Sequence, residues 1–254
     1  MSWNINQVSK PKIKNPILIE GLPGIGNVGK IATDFMIDTL NAKKLCEISS
    51  YDLPHYVFIN EENIVELPTI EIFYKNIKNH TLLLLAGDVQ PIDENSCYKF
   101  CEQILDLIEN QKGKKEIITL GGVGLRKNPA NPKVYTAANN LEIRKKYTKN
   151  IVDNDMYGLV GPIVGVSGLL VGLAGKRKIP AVSLLAETYG HPSYLGIKPA
   201  KAILKLLNSR LKLNMNLKNL EDEILDIQAE EKTKLKSIRK QKTQNKNKDL
   251  SYIG

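Results

Sequence analysis

The run from Thr81 to Ala86, TLLLLA, carries no charge and no alternation of apolar with polar residues. A strand with one wet face alternates, so this pattern predicts a strand covered on both faces, as the inner strands of a parallel sheet are. Helices must then lie on either side. Shorter strand-like runs occur at residues 16–20, 56–60, 64–74, 116–120 and 179–186, with Pro68 as a bulge or edge feature in the third. Helical spacing fills the gaps at residues 29–41, 94–111, 163–174 and 199–213, and Asp93 is placed to cap the second. The expected fold is a three-layer α/β domain over residues 15–213: a mostly parallel sheet, helices on both faces, and a local antiparallel addition between residues 46 and 74. An N-terminal arm, 1–14, precedes it. A helical extension, 214–239, follows, with Leu217, Leu220, Ile224 and Ile227 at spacings of three and four. Residues 240–254 read as a flexible basic tail.

Charge is distributed unevenly. Residues 232–254 hold eight Lys or Arg against the single acid Asp249, so this end carries +7 of the chain's net +9. The near-neutral remainder argues against a nucleic-acid surface on the domain, and the tail lacks the interleaved aromatic platform that single-stranded nucleic acid needs. Three cysteines, Cys46, Cys97 and Cys101, form no C-x-x-C pair, and the N-terminus has no apolar export segment. Both features point to the reducing cytoplasm. Residues 156–175 are twenty without a charge, yet Pro162 is expected to start the helix there. The resulting helix is about 20 Å long, short of the roughly 30 Å of a bilayer core, and reads as buried rather than membrane-spanning. Gly161, Gly165, Gly168 and Gly172 would form one smooth face on it.

The stretch EGLPGIGNVGK places Gly24, Gly26 and Gly29 at the spacing of a dinucleotide-binding turn, and Lys30 close to that of a triphosphate loop. The position after Lys30 is Ile31, where a triphosphate loop needs a hydroxyl for magnesium, and neither Glu47 nor Asp52 ends a convincing second strand for a ribose. The loop therefore reads as a structural βα turn. A second glycine turn, Gly121, Gly122 and Gly124, is expected after the strand at 116–120. Glu20, Asp88 and Glu187 fall at strand ends, where they either share one crevice or act separately as caps. His55, His80 and His191 follow no metal-ligand spacing, and no metal or catalytic residue is assigned.

The segments IEGLPGIGNVGKIA, LLAGDVQP and GGVGL, and above all GPIVGVSGLLVGLAGKRKIPAVSLLAETYGHPSYLGIKPA, resemble the archaeal proteasome assembly chaperone family across residues 15–213. That resemblance implies a self-associating α/β protein, not an enzyme and without cofactor, that binds the α subunits of the proteasome core particle. It also gives the tail a role. In that family a C-terminus ending hydrophobic-Tyr-any docks between α subunits, and here the candidates are Leu250, Tyr252, Ile253 and Gly254. Tyr252 stands third from the end and follows Ser251, one place earlier than that pattern has it. The same family is also described as ATP-dependent carboxylate-amine ligases of ATP-grasp type. This alternative would need ATP and magnesium, with Lys30, Asp88 and Glu187 as candidate ligands.

Overall fold

The computed structural model describes residues 3–148, 161–191, 194–217 and 220. The chain divides into two units, Met1–Met215 and Asn216–Gly254. The expected extension helix and tail fall almost wholly outside the described residues, as do the docking candidates Leu250, Tyr252, Ile253 and Gly254.

Among the described residues of the first unit, ten strands and five α-helices follow one another: β1 (Asn4–Gln7), β2 (Ile17–Glu20), α1 (Val28–Thr39), β3 (Lys43–Ser49), β4 (Phe58–Ile59), β5 (Val65–Glu66), β6 (Ile70–Ile77), β7 (His80–Gly87), α2 (Glu94–Glu109), β8 (Glu116–Leu125), β9 (Val134–Ala138), α3 (Leu141–Thr148), α4 (Val166–Lys176), β10 (Ala181–Tyr189) and α5 (Ile197–Leu211). Eight strands form one sheet in the order β1-β3-β6-β7-β2-β8-β10-β9, and β4 and β5 form a separate two-stranded sheet. The centre is parallel: β7 with β2, β2 with β8, β8 with β10. Antiparallel strands close both flanks, β6, β3 and β1 on one side and β9 on the other.

The central strands are buried on both faces, as TLLLLA demands. Leu18, Leu83, Leu85, Ile117 and Ala181 join Phe100, Ile104, Val166 and Leu170 of α2 and α4 in one core. Their alternates Ile19, Leu82, Leu84, Ile118 and Val182 are equally buried and point the other way, where α1 and α5 pack. α2 starts where Asp93 accepts from the Ser96 N–H at 3.0 Å and Ser96 Oγ reaches back to the Asp93 backbone, a reciprocal cap. At the N-terminus, β1 adds to β3, and Trp3 is buried with its ring 4.8 Å from Phe100 and its Nε1 donating to the Ser96 carbonyl at 3.2 Å.

Four local expectations change. The run 64–74 is two strands, because Pro68 has no N–H to pair; β5 ends before it and β6 starts at Ile70. Of the run 56–60, only Phe58 and Ile59 are strand. GGVGL is no turn: β8 continues through it to Leu125, each residue paired with β10. Its glycines mark close approach, since a Cβ on Gly122 would lie 2.3 Å from the Ile25 carbonyl oxygen. The α4 helix begins at Val166 rather than Pro162, so only Gly168 and Gly172 of the glycine series lie on it. The segment before it folds back over the first turn, where a Cβ on Gly168 would sit 2.0 Å from the Ile163 carbonyl oxygen. No helix among the described residues is long and apolar enough to cross a membrane.

Candidate functional site

The parallel strands β7, β2, β8 and β10 all end at one edge of the sheet, and the glycine-rich segments meet there. After β2 the chain turns through a 3₁₀ segment, Ile25–Asn27, into α1. Gly26 holds φ at 63°, a left-handed conformation that a side chain would strain. Gly29 lies against β8: a Cβ there would stand 2.5 Å from the Leu120 carbonyl oxygen. Gly24, with φ at −161°, is extended, and a Cβ on it would meet nothing within 4 Å. One glycine therefore serves the turn and another the packing of helix on sheet.

Between this loop, the end of β8 and the start of α4 lies a cavity of about 360 Å³. Leu22, Ile25, Ile163, Val164 and Leu185 supply apolar walls; Gly24, Gly29, Gly121, Gly122 and Gly124 contribute backbone, and Ser167 and Gln90 polar side chains. Gln90 ties two walls together, its Nε2 donating to the Pro23 carbonyl and its Oε1 accepting from the Val166 N–H at 3.1 Å. Ser167 and Gln90 were not among the residues expected from sequence; the signals were Gln90 within LLAGDVQP and Ser167 between Gly165 and Gly168.

The three strand-end carboxylates share the edge, and each is held by partners of its own. Glu20 is fully buried, accepting from the Leu22 N–H at 3.0 Å and the Ser167 hydroxyl at 2.9 Å. Burial pushes its pKa up to about 7, the two hydrogen bonds offsetting part of the rise. Asp88 accepts from the Thr69 N–H and hydroxyl at 3.2 and 3.0 Å and faces Lys30 at 3.6 Å. Glu187 accepts from the Lys133 N–H at 3.0 Å and the Tyr135 hydroxyl at 2.8 Å. Lys30 makes its shorter ion pair with Asp34, at 3.1 Å on its own helix, where Asp34 is itself held above the usual carboxylate range by burial. Thus Lys30, Asp88 and Glu187 each have a protein partner.

Cys46 is buried, which raises its thiol to about 11, and Cys101 is pushed up by its contact with Cys97 and by burial. Neither is a ready nucleophile. The His191 ring stacks on the Tyr189 ring at 5.7 Å, and Tyr194 meets the Tyr189 ring edge-on. No cluster of three metal-ligating side chains occurs among the described residues.

Compared with known proteins, residues 18–235 match the PAC2 family model. The chain belongs to the PAC2 family. This PAC2 protein is 33% identical over 251 residues to an uncharacterized protein of Methanocaldococcus jannaschii, covering 95% of this chain and 93% of that one. Its fold matches the crystal structure of Pyrococcus furiosus PbaB, an archaeal proteasome activator, with a TM-score of 0.80 and 30% identity over 91% of this chain and 98% of that one. Pyrococcus furiosus PbaA, an archaeal homolog of proteasome-assembly chaperone, shares the fold at a TM-score of 0.73 and 24% identity, over 89% and 94% of the two chains.

Proposed function

We propose that this chain is a proteasome assembly chaperone or activator-like protein that binds the α-ring of the core particle through Leu250, Tyr252, Ile253 and Gly254. The observation that carries this reading is the near full-length likeness to PbaB, at a TM-score of 0.80. The protein works in the cytoplasm as a homo-oligomer. Several tails on one oligomer engage a ring far more strongly than one tail does, because each later contact is intramolecular. Tyr252 and Ile253 supply apolar surface for the pocket.

The cavity edge supports a structural rather than a catalytic role for the glycine loops. Lys30 and Asp88 pair with each other, and Glu187 is engaged by Tyr135 and Lys133. An ATP-grasp ligase would need those groups for ATP and magnesium.

Co-sedimentation with proteasome core particles tests the reading, using the full chain and a chain truncated after Asp249, each with and without magnesium ATP. Binding by the full chain that is lost on truncation and indifferent to ATP is the expected result. No binding in any sample, together with protection of the chain by ATP against heating, overturns it in favour of the ligase.

A further inference from the structure

The connection between β3 and β6 leaves the sheet as a separate two-stranded hairpin, β4 paired with β5 through Phe58↔Glu66 and Ile59↔Val65. A lone two-stranded hairpin is marginal in water unless something packs on it. This one exposes a run of large apolar side chains: Tyr56, Phe58, Val65, Ile59 at 69% and Leu67 at 74%. Scattered exposed apolar residues need no explanation, but a contiguous patch marks an interaction surface. Residues 51–67 also contain four acids, Asp52, Glu61, Glu62 and Glu66, and no Lys or Arg.

A surface of complementary charge lies on the same edge of the sheet. The 360 Å³ cavity opens beside Ile25 and Val164, exposed at 52% and 82%. Two residues beyond Gly124 of its wall, the loop 126–133 carries Arg126, Lys127 and Lys133 and no acid. Apolar walls with a basic rim suit an apolar, acidic hairpin.

No residue of the hairpin lines the cavity of its own chain. β6 and β8 are three places apart in the sheet, about 14 Å at the usual strand spacing. The root of the hairpin is fixed: Asp88 accepts from both the Thr69 N–H and hydroxyl, and its own N–H donates to the Thr69 carbonyl at 2.9 Å.

We infer that the β4–β5 hairpin of one copy docks in the cavity of the next, Ile59 and its cross-strand partner Val65 entering it from one face of the hairpin while Glu61 and Glu62 meet Arg126 and Lys127. This rests on the reading of the chain as a homo-oligomer and names the surfaces that form it. The contact is head-to-tail, since each copy presents both halves at different places, and such a contact is satisfied throughout only when the copies close into a ring.

Light scattering on gel-filtered full-length protein tests this. The double variant Ile59→Asp/Val65→Asp and, on the cavity side, Val164→Glu are each expected to weaken association roughly 30-fold or more. Both alter exposed positions, and circular dichroism of each variant is the check that it folds. Glu61→Lys/Glu62→Lys and Arg126→Glu/Lys127→Glu are each expected to be monomeric, and their equimolar mixture to associate, because each contact between the two different variants joins opposite charges. An unchanged mass for the hairpin variant overturns the proposal and leaves the homo-oligomer standing. A mixture that stays monomeric overturns the pairing of hairpin with cavity rim. A wild-type chain that is monomeric at every concentration overturns both the contact and self-association, while binding to the core particle is judged separately by co-sedimentation.

Discussion

Ser167 and Glu20 are 147 residues apart in sequence and joined by a buried hydrogen bond of 2.9 Å, hydroxyl to carboxylate. It fastens the first turn of α4 to the end of β2, directly behind the cavity wall. The carboxylate receives two hydrogen bonds, yet burial dominates and its pKa stands at about 7 against an ordinary 4.5. In the folded state the group therefore holds its proton over a range where the unfolded chain has lost it. Stability from this group is greatest below pH 4.5 and declines as pH rises toward 7. Glu20→Gln removes the titration. The variant is expected to be more stable than the wild type at pH 8, by an amount on the order of 3 kcal/mol, with the gap closing near pH 4.5. Urea unfolding of both proteins at several pH values measures it, and a constant gap across the range contradicts the assignment.

Gly29 and Gly24 have opposite tolerances. A Cβ on Gly29 meets the Leu120 carbonyl oxygen at 2.5 Å, whereas one on Gly24 meets nothing within 4 Å. Gly29→Ala is expected to cost about 1–3 kcal/mol by forcing helix from sheet, and Gly24→Ala less than about 0.5 kcal/mol. Thermal melts of the two variants give the comparison.

Gln90 acts as a cross-brace between the Pro23 carbonyl and the Val166 N–H. Its truncation to alanine leaves two backbone groups without that partner, an expected loss of about 1–3 kcal/mol. Hydrogen exchange should rise selectively at Val166 and its neighbours, with α2 and β7 unchanged.

Arg177, just past α4, binds Asp106 at 2.6 Å and Glu109 at 2.8 Å, and also Glu102, all on α2. Without it three carboxylates share one helix face. Arg177→Ala is expected to destabilise by about 1 kcal/mol at low salt, as such partly exposed networks do, and the difference should shrink in 1 M salt.

The sequence carried the centre of the fold more openly than its flanks. TLLLLA can be satisfied only between two helical layers, and Asp93 needs only its neighbours to cap α2, so both are local facts. β9 (VYTAA) and β1 (NINQ) have no such pattern, because their places are set by backbone pairing with β10 and β3. The same limit applies at the cavity. The positions of Glu20, Asp88 and Glu187 at one sheet edge follow from strand order, but whether they converge depends on partners such as Ser167, Thr69 and Tyr135, each far away in sequence. Gly122 shows the difficulty from the other side: in sequence a glycine pair resembles a turn, and only the Ile25 carbonyl lying over it reveals a strand.

Trp3 is the chain's single tryptophan, and it is sealed between β1 and α2 with its indole N–H on the Ser96 carbonyl. Tryptophan emission therefore reports from one seam alone. A red shift in emission that comes before the loss of circular dichroism would time the peeling of the first strand from the sheet, without any attached label.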